Sequence, residues 1–323
     1  MTTDQRPVSS AAMPKIFVAR SLPGNAIDRL REAGHEVTVH PGAMPPTREE
    51  MLAGVANAEA LLSLLTDRVD AELLDSAPQL QAVANFAVGC DNIDLAAAAE
   101  RDIPVGVAAH VLTDATADLT MALLLAAARN IPEGERDARE GRWTTWEPEG
   151  WLGRELRGAK LLIVGRGRIG QAVADRAEPF GMQISFVGRD GDLHSALAEA
   201  DIVSIHCPLN EQTHHLIDAV ALAAMKPTAL LINTTRGGVV DQAALIEALH
   251  AGTIGSAALD VTDPEPPPAD DPIYDAPNCL IVPHIGSATA TTRAAMANCA
   301  ADNLLAALAG DPMPTPAPAP PSA

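Results

Sequence analysis

The sequence predicts an α/β protein of two domains, each built on a parallel sheet. Three observations predict it. Short apolar runs alternate with helix-period stretches along nearly the whole chain, and alternating β and α elements pair their strands in parallel. A strand, a glycine-rich turn and an amphipathic helix follow one another over 161–180, in mid-chain, so a domain's worth of residues precedes them. At 323 residues the chain exceeds what one small core organises.

Residues 1–13 are polar and are expected to be a disordered tail. A first domain is expected over 14–110, joined by 293–310. Its strands are read at 16–19, 37–39, 60–64 and 82–85, with a short one near Val105. A helix is expected over 25–33, and Thr47-Arg48-Glu49-Glu50 has the form of a capping box ahead of the next. Residues 113–130 read as a long helix with an almost wholly apolar face, crossing between the halves. A second domain, expected over 111–292, offers six strands at 161–164, 184–187, 202–205, 230–233, 256–259 and 280–282. A helix is read over 169–180. Asp241 is placed to N-cap another over 242–250, with Gly252 as its stop. A last helix over 291–309 returns to the first domain, and the Pro/Ala tail over 311–323 is expected to be disordered.

Composition narrows the function. Lys and Arg number 22 against 42 Asp and Glu, a net charge of −20, and aromatics make up 2%. Nucleic-acid binding needs a basic footprint and stacking platforms, so no nucleic acid is expected as a partner. The longest apolar run, 121–128, is too short to span a bilayer and no signal peptide is evident, so a cytoplasmic protein without a membrane partner is expected. Cys90, Cys207, Cys279 and Cys299 form no C-x-x-C pair and are expected to be free thiols. His206, His214 and His215 invite a metal reading. Adjacent His214 and His215 point apart on a helix or strand, and no carboxylate stands at ligand spacing, so no metal is expected.

The turn Gly165-Arg166-Gly167-Arg168-Ile169-Gly170 is the G-x-G-x-x-G fingerprint of Rossmann-type dinucleotide binding, in its required context of strand, turn and helix. Gly165 permits the tight turn, Gly167 lets the backbone approach a pyrophosphate, and Gly170 lets the helix pack close. The helix N-terminus at Ile169, with Arg168 just before it, offers unpaired N–H groups to the phosphates. NAD-binding chains place an acid at the end of the second strand, for the ribose hydroxyls. Here that position is Gly188, followed by Arg189, which removes a carboxylate and supplies a cation for a ribose phosphate. NADP(H) is therefore favoured, with NAD(H) the alternative. Three polar clusters follow strand ends: 233–238 with Arg236, 260–266 with Glu265, and 283–287 with His284. Ligands of open α/β sheets bind at that end.

Together with Asn85-Phe86-Ala87-Val88-Gly89-Cys90-Asp91-Asn92, these five segments, in this order, resemble the D-isomer-specific 2-hydroxyacid dehydrogenase family. The resemblance covers about 16–309. It implies two Rossmann-like domains with parallel sheets, the first flavodoxin-like, and an active site in the interdomain cleft. It implies that Arg236 binds the carboxylate and carbonyl of a small anionic 2-keto acid, whose planar group the guanidinium fork matches. His284 would give the proton as hydride arrives, and Glu265 would fix its ring. Leu64, Val88 and Gly89 would contact the substrate. His206, Cys207, Pro208, Thr234, Thr235, Asp260, Gly286 and Ser287 would join the glycine loop and Arg189 around the cofactor. Val111-Leu112-Thr113-Asp114 and Arg142-Trp143-Thr144-Thr145-Trp146-Glu147-Pro148 look most like glyoxylate/hydroxypyruvate reductases, a group in which the Trp146 segment lies near a homodimer interface. The alternatives are another 2-hydroxyacid dehydrogenase, a phosphite dehydrogenase, or, in a different class, a corepressor-like NAD(H)-gated interaction protein.

Overall fold

Inner strands of a parallel sheet are covered on both faces, so their sequences need no polar alternation. The chain follows that rule twice. A computed structural model describes residues 13–319, and these divide into two units, residues 13–111 with 289–319 and residues 112–288. The expected divisions at 110/111 and 292/293 stand at 111/112 and 288/289.

The first unit holds β1 (Lys15–Val18), β2 (Glu36–Val39), β3 (Ala60–Ser63), β4 (Ala82–Asn85) and β5 (Val105–Val107), in the order β2-β1-β3-β4-β5. Every pairing is parallel, and the order is of flavodoxin type. Inner strands β3 and β4 are buried throughout, whereas edge strand β2 alternates. Thr47 closes the expected capping box: its N–H donates to Glu50 Oε2 at 2.8 Å, and Glu50 N donates to Thr47 Oγ1 at 3.3 Å. The helix Ala290–Leu308 packs on β3, β4 and β5 and buries Met296, Ala297, Ala300, Ala301 and Leu304.

The expectation of a disordered tail from Asp311 is corrected for its described part. Thr315 Oγ1 donates to Val107 O at 2.7 Å, Val107 N to Thr315 O at 2.9 Å, and Ala317 N to Val105 O at 2.7 Å. Buried Asn303 accepts from Thr315 N at 2.9 Å. Alternating prolines leave an N–H on every second residue, which suits pairing along one side with an exposed edge such as β5. Residues 1–12 and 320–323, the rest of both expected tails, lie outside the described residues.

The second unit holds β6 (Lys160–Val164), β7 (Gln183–Val187), β8 (Ile202–Ile205), β9 (Leu230–Asn233), β10 (Ser256–Leu259) and β11 (Cys279–Ile281), in the parallel order β11-β10-β9-β8-β6-β7. The chain passes from β6 to β7 on one side and returns to β8 on the other, so the β6/β8 junction is the switch point of the sheet. The helix Thr113–Ala128, expected to cross between the halves, lies wholly within this unit. It packs on the helix Arg168–Ala177, and Leu123 and Leu124 share a core with Leu161, Ile163 and Ile232. It stops short of 130 because Asn130 turns left-handed (φ +50°) and starts a second helix, Ile131–Arg139. The helix expected over 169–180 keeps α geometry to Ala177, and Pro179, which has no N–H to donate, sits in a short 3-10 turn after it. Asp241 caps the helix Gln242–Ala251 through Ala244 N at 3.1 Å, and left-handed Gly252 ends it.

Candidate active site

The turn after β6 passes through Gly165 in the left-handed region (φ +101°). A Cβ there would stand 2.8 Å from Cys207 N, so the turn meets the loop after β8 backbone against backbone. At Gly170 a Cβ would stand 2.3 Å from Gly165 O, so glycine lets the first turn of Arg168–Ala177 close on its own strand. Gly167 differs: nothing lies within 4 Å of a Cβ placed on it. That open side lies at the N-terminus of a ten-residue helix, whose first N–H groups have no intrahelical partner. The arrangement fits the phosphates of a dinucleotide. Arg168 begins the helix and Ile169 follows half-buried. At the end of β7, Gly188 and Arg189 are both exposed. Arg166, in the same turn, places its guanidinium 4.8 Å from the centre of the Phe186 ring of β7.

Around the ends of β8 and β9, the other expected cofactor residues are tied to one another. His206 Nε2 lies 2.8 Å from Ser204 Oγ, and burial pushes its imidazole down to about 4, so it is neutral at neutral pH. Burial pushes the Cys207 thiol up. Thr235 Oγ1 donates to Cys207 O at 2.7 Å, and the buried Thr234 hydroxyl lies 3.0 Å from that of Thr120. Pro208 is exposed, and its carbonyl accepts from Thr213 Oγ1 at 2.6 Å.

Strands β9, β10 and β11 are neighbours, with Asn233 paired to Leu259 and Leu259 to Ile281. The loops bearing Arg236, Glu265 and His284 therefore leave the sheet side by side. The first two are pressed together: a Cβ on Gly237 would stand 1.9 Å from Thr262 O. Asn233 shapes the first loop, accepting from Thr235 N at 3.1 Å and donating through Nδ2 to Arg236 O at 2.8 Å. The half-buried Arg236 donates through Nη1 to Thr235 O at 2.8 Å.

His284 Nδ1 lies 2.5 Å from Glu265 Oε1. With Nδ1–H donated to that carboxylate, Nε2 is the nitrogen left to exchange a proton. The side chains are 25% and 31% exposed, open enough to meet a ligand. His284 is left-handed (φ +50°), a conformation that costs a non-glycine residue about 1 kcal/mol. Asp260 holds it there. Its carbonyl accepts from His284 N at 3.0 Å, and its carboxylate accepts from Ile285 N at 2.6 Å and Gly286 N at 2.8 Å. Burial pushes the Asp260 carboxyl up, and those N–H groups pull against it. Asp260 and Gly286 thus build the His284 loop, a part their expected place beside the cofactor did not reveal. Ser287 follows, half-buried.

Within the first unit, half-buried Leu64 follows β3, and exposed Val88 and half-buried Gly89 follow β4. Two asparagines from the ends of the quoted segment 85–92, given no role in the sequence reading, join these loops. Asn85 Nδ2 donates to Gly89 O at 2.9 Å and to Asn92 Oδ1 at 3.0 Å, and Asn92 Nδ2 donates to Leu64 O at 3.0 Å.

The reading of His214 and His215 as pointing apart is corrected. They lie in a turn, neither helix nor strand, with His215 left-handed (φ +51°) and the rings stacked 3.9 Å apart. Among the described residues, no helix is long and apolar enough to cross a membrane.

Residues 121–286 match the family described as D-isomer specific 2-hydroxyacid dehydrogenase, NAD binding domain. Glyoxylate reductases of Korarchaeum cryptofilum and Thermococcus litoralis are 43% and 44% identical to the chain. Each alignment covers 92% of it, and 94% and 95% of those proteins. A crystal structure of a Thermus thermophilus protein superposes with a TM-score of 0.89 at 50% identity, covering 94% of this chain and all of that one. The NADPH-dependent glyoxylate/hydroxypyruvate reductase of Sinorhizobium meliloti, solved with NADP and malonate, gives 0.82 at 33% identity, over 95% of this chain and 97% of that one. The glycine cradle and these matches define a nicotinamide-dependent oxidoreductase. The chain belongs to the D-isomer-specific 2-hydroxyacid dehydrogenase family.

Proposed function

We propose that the protein reduces glyoxylate to glycolate and hydroxypyruvate to the D-2-hydroxy acid, with NADPH preferred over NADH. The observation that supports this best is the 2.5 Å pair of Glu265 and His284 beside the Arg236 loop. When bound, the nicotinamide supplies the hydride. Arg236 binds the keto acid's carboxylate and polarises its carbonyl, and His284 Nε2 passes a proton to the carbonyl oxygen. Glu265 holds the ring through Nδ1 and stabilises the charged imidazolium. Leu64 and the amides of Val88 and Gly89 are our proposed substrate contacts from the first unit. Support for NADPH comes from Gly188 and exposed Arg189 at the end of β7, and from the reductase solved with NADP.

The test is steady-state oxidation of NADPH and of NADH with glyoxylate, hydroxypyruvate and larger 2-keto acids, beside phosphite oxidation with NADP+. Fast turnover of the two small keto acids is expected. Background rates would favour the corepressor-like reading, and turnover of phosphite alone would favour a phosphite dehydrogenase. His284→Ala removes the acid and should lower kcat by roughly 10²–10⁴-fold.

We also propose a homodimer formed through the second unit. Support comes from its exposed apolar side chains, Trp143 at 64%, Trp146 at 81% and Leu152 at 69%, since exposed apolar patches mark association surfaces. Sedimentation equilibrium showing a monomer at micromolar concentration would overturn it.

A further inference from the structure

Three side chains outside the proposed chemistry come together at the ends of β8 and β10. One ring nitrogen each of His214 and His215 and a carboxylate oxygen of Asp263 all lie within 4.8 Å of one another, and all three residues are exposed. Around a tetrahedral zinc ion at about 2.0–2.2 Å from each ligand, donor atoms stand about 3.4 Å apart. All three side chains are exposed, so solvent rather than packed neighbours surrounds the bonds about which they would turn to close that gap.

The backbone that presents them is already fixed. His214 N donates to Asn210 O at 2.8 Å, and His215 N to Gly238 O at 2.8 Å. Asp263 N donates to Gln242 Oε1 at 3.0 Å. A second carboxylate stands nearby: Asp241 Oδ2 lies 4.0 Å from His215 Nδ1, and Asp241 is itself locked as the cap of Gln242–Ala251. Two imidazoles and one carboxylate with open remaining positions suit a borderline divalent cation. Hard Mg²⁺ prefers an all-oxygen set.

We propose that His214, His215 and Asp263 bind one divalent transition cation of the zinc class. Asp263 stands two residues before Glu265, so the bound ion ties the loop carrying Glu265 to the turn after β8.

Isothermal titration of the full chain with ZnCl₂, and with MgCl₂ in parallel, tests the site. One zinc per chain is expected, with no comparable Mg²⁺ uptake. His214→Ala, His215→Ala and Asp263→Asn should each weaken zinc binding at least about tenfold, the scale set by loss of even an outer-shell partner. Zinc should also raise the Tm of the parent chain and leave that of the His214→Ala/His215→Ala double variant unchanged. Circular dichroism confirms that the variants fold. No stoichiometric zinc binding, equal Mg²⁺ binding, or undiminished zinc binding by the double variant would each overturn the proposal, the last by placing the ion elsewhere.

Discussion

Gly237→Ala is the sharpest probe of how the candidate site is assembled. The new Cβ would stand 1.9 Å from Thr262 O, 2.0 Å from Thr262 C and 2.7 Å from Asp263 N, all backbone atoms. Real Cβ contacts below 3.0 Å are essentially not seen. The loop of Arg236 and the loop of Glu265 must therefore part by about 1 Å, since no side chain can rotate away. Overpacking of this kind costs about 1–3 kcal/mol, which lowers the Tm of a unit this size by roughly 2–12 °C. A displacement of about 1 Å in a positioning group also costs about 100-fold in turnover. The control is Gly167→Ala. Its Cβ meets nothing, and its φ of −80° suits alanine, so its Tm should match the parent while the KM for NADPH rises. Thermal melts and keto-acid kinetics on both variants check the pair. A Gly237→Ala protein with parental Tm and kcat/KM would refute the argument that these loops are locked together, and a lower-melting Gly167→Ala would refute the open cradle.

Arg189→Ala should raise the KM for NADPH far more than that for NADH, and equal effects on the two would remove the ribose-phosphate role. Truncation after Gly310 takes away the Thr315 and Ala317 hydrogen bonds to β5. It should cost about 3 kcal/mol in urea unfolding, at about 1 kcal/mol per bond, whereas a tail without structure would cost nothing. His206 titrates near 4 folded against 6.5 for the free side chain. Below pH 6.5 the unfolded chain takes up this proton and the folded chain does not, so stability falls as the pH drops from 6.5 to 4, by at most about 3 kcal/mol. His206→Gln should flatten that part of the stability–pH curve, and an unchanged curve would show that the imidazole is not held neutral.

Elements with a strong local signal were legible in the sequence. Buried β3, β4, β8 and β9 read as apolar runs, and the caps at Thr47 and Asp241 read from two or three residues each. What failed was non-local. The stretch after Asp311 has a composition typical of disorder, and its hydrogen-bond partners, Asn303 and the edge of β5, lie elsewhere in the chain. By contrast, Asn130, with Pro132 beyond it, is a local stop signal, and the reading of 113–130 erred only by including the stop residue in the helix, which ends at Ala128.

The same division runs through the candidate site. The glycine loop and the Arg236, Glu265 and His284 clusters are short segments whose chemistry shows in their own residues. The groups that hold them in place do not show, because each acts across a gap in sequence. Asp260 reaches 25 and 26 residues along the chain to Ile285 N and Gly286 N, and Asn92 reaches back 28 to Leu64 O. In the sequence, Asp260 is one acid among several in a polar loop. In the structure its buried carboxylate sets the left-handed turn that aims His284. The place of the proposed proton donor in the chain is therefore a matter of local pattern, whereas its orientation depends on register between β10 and β11, which only the folded sheet supplies.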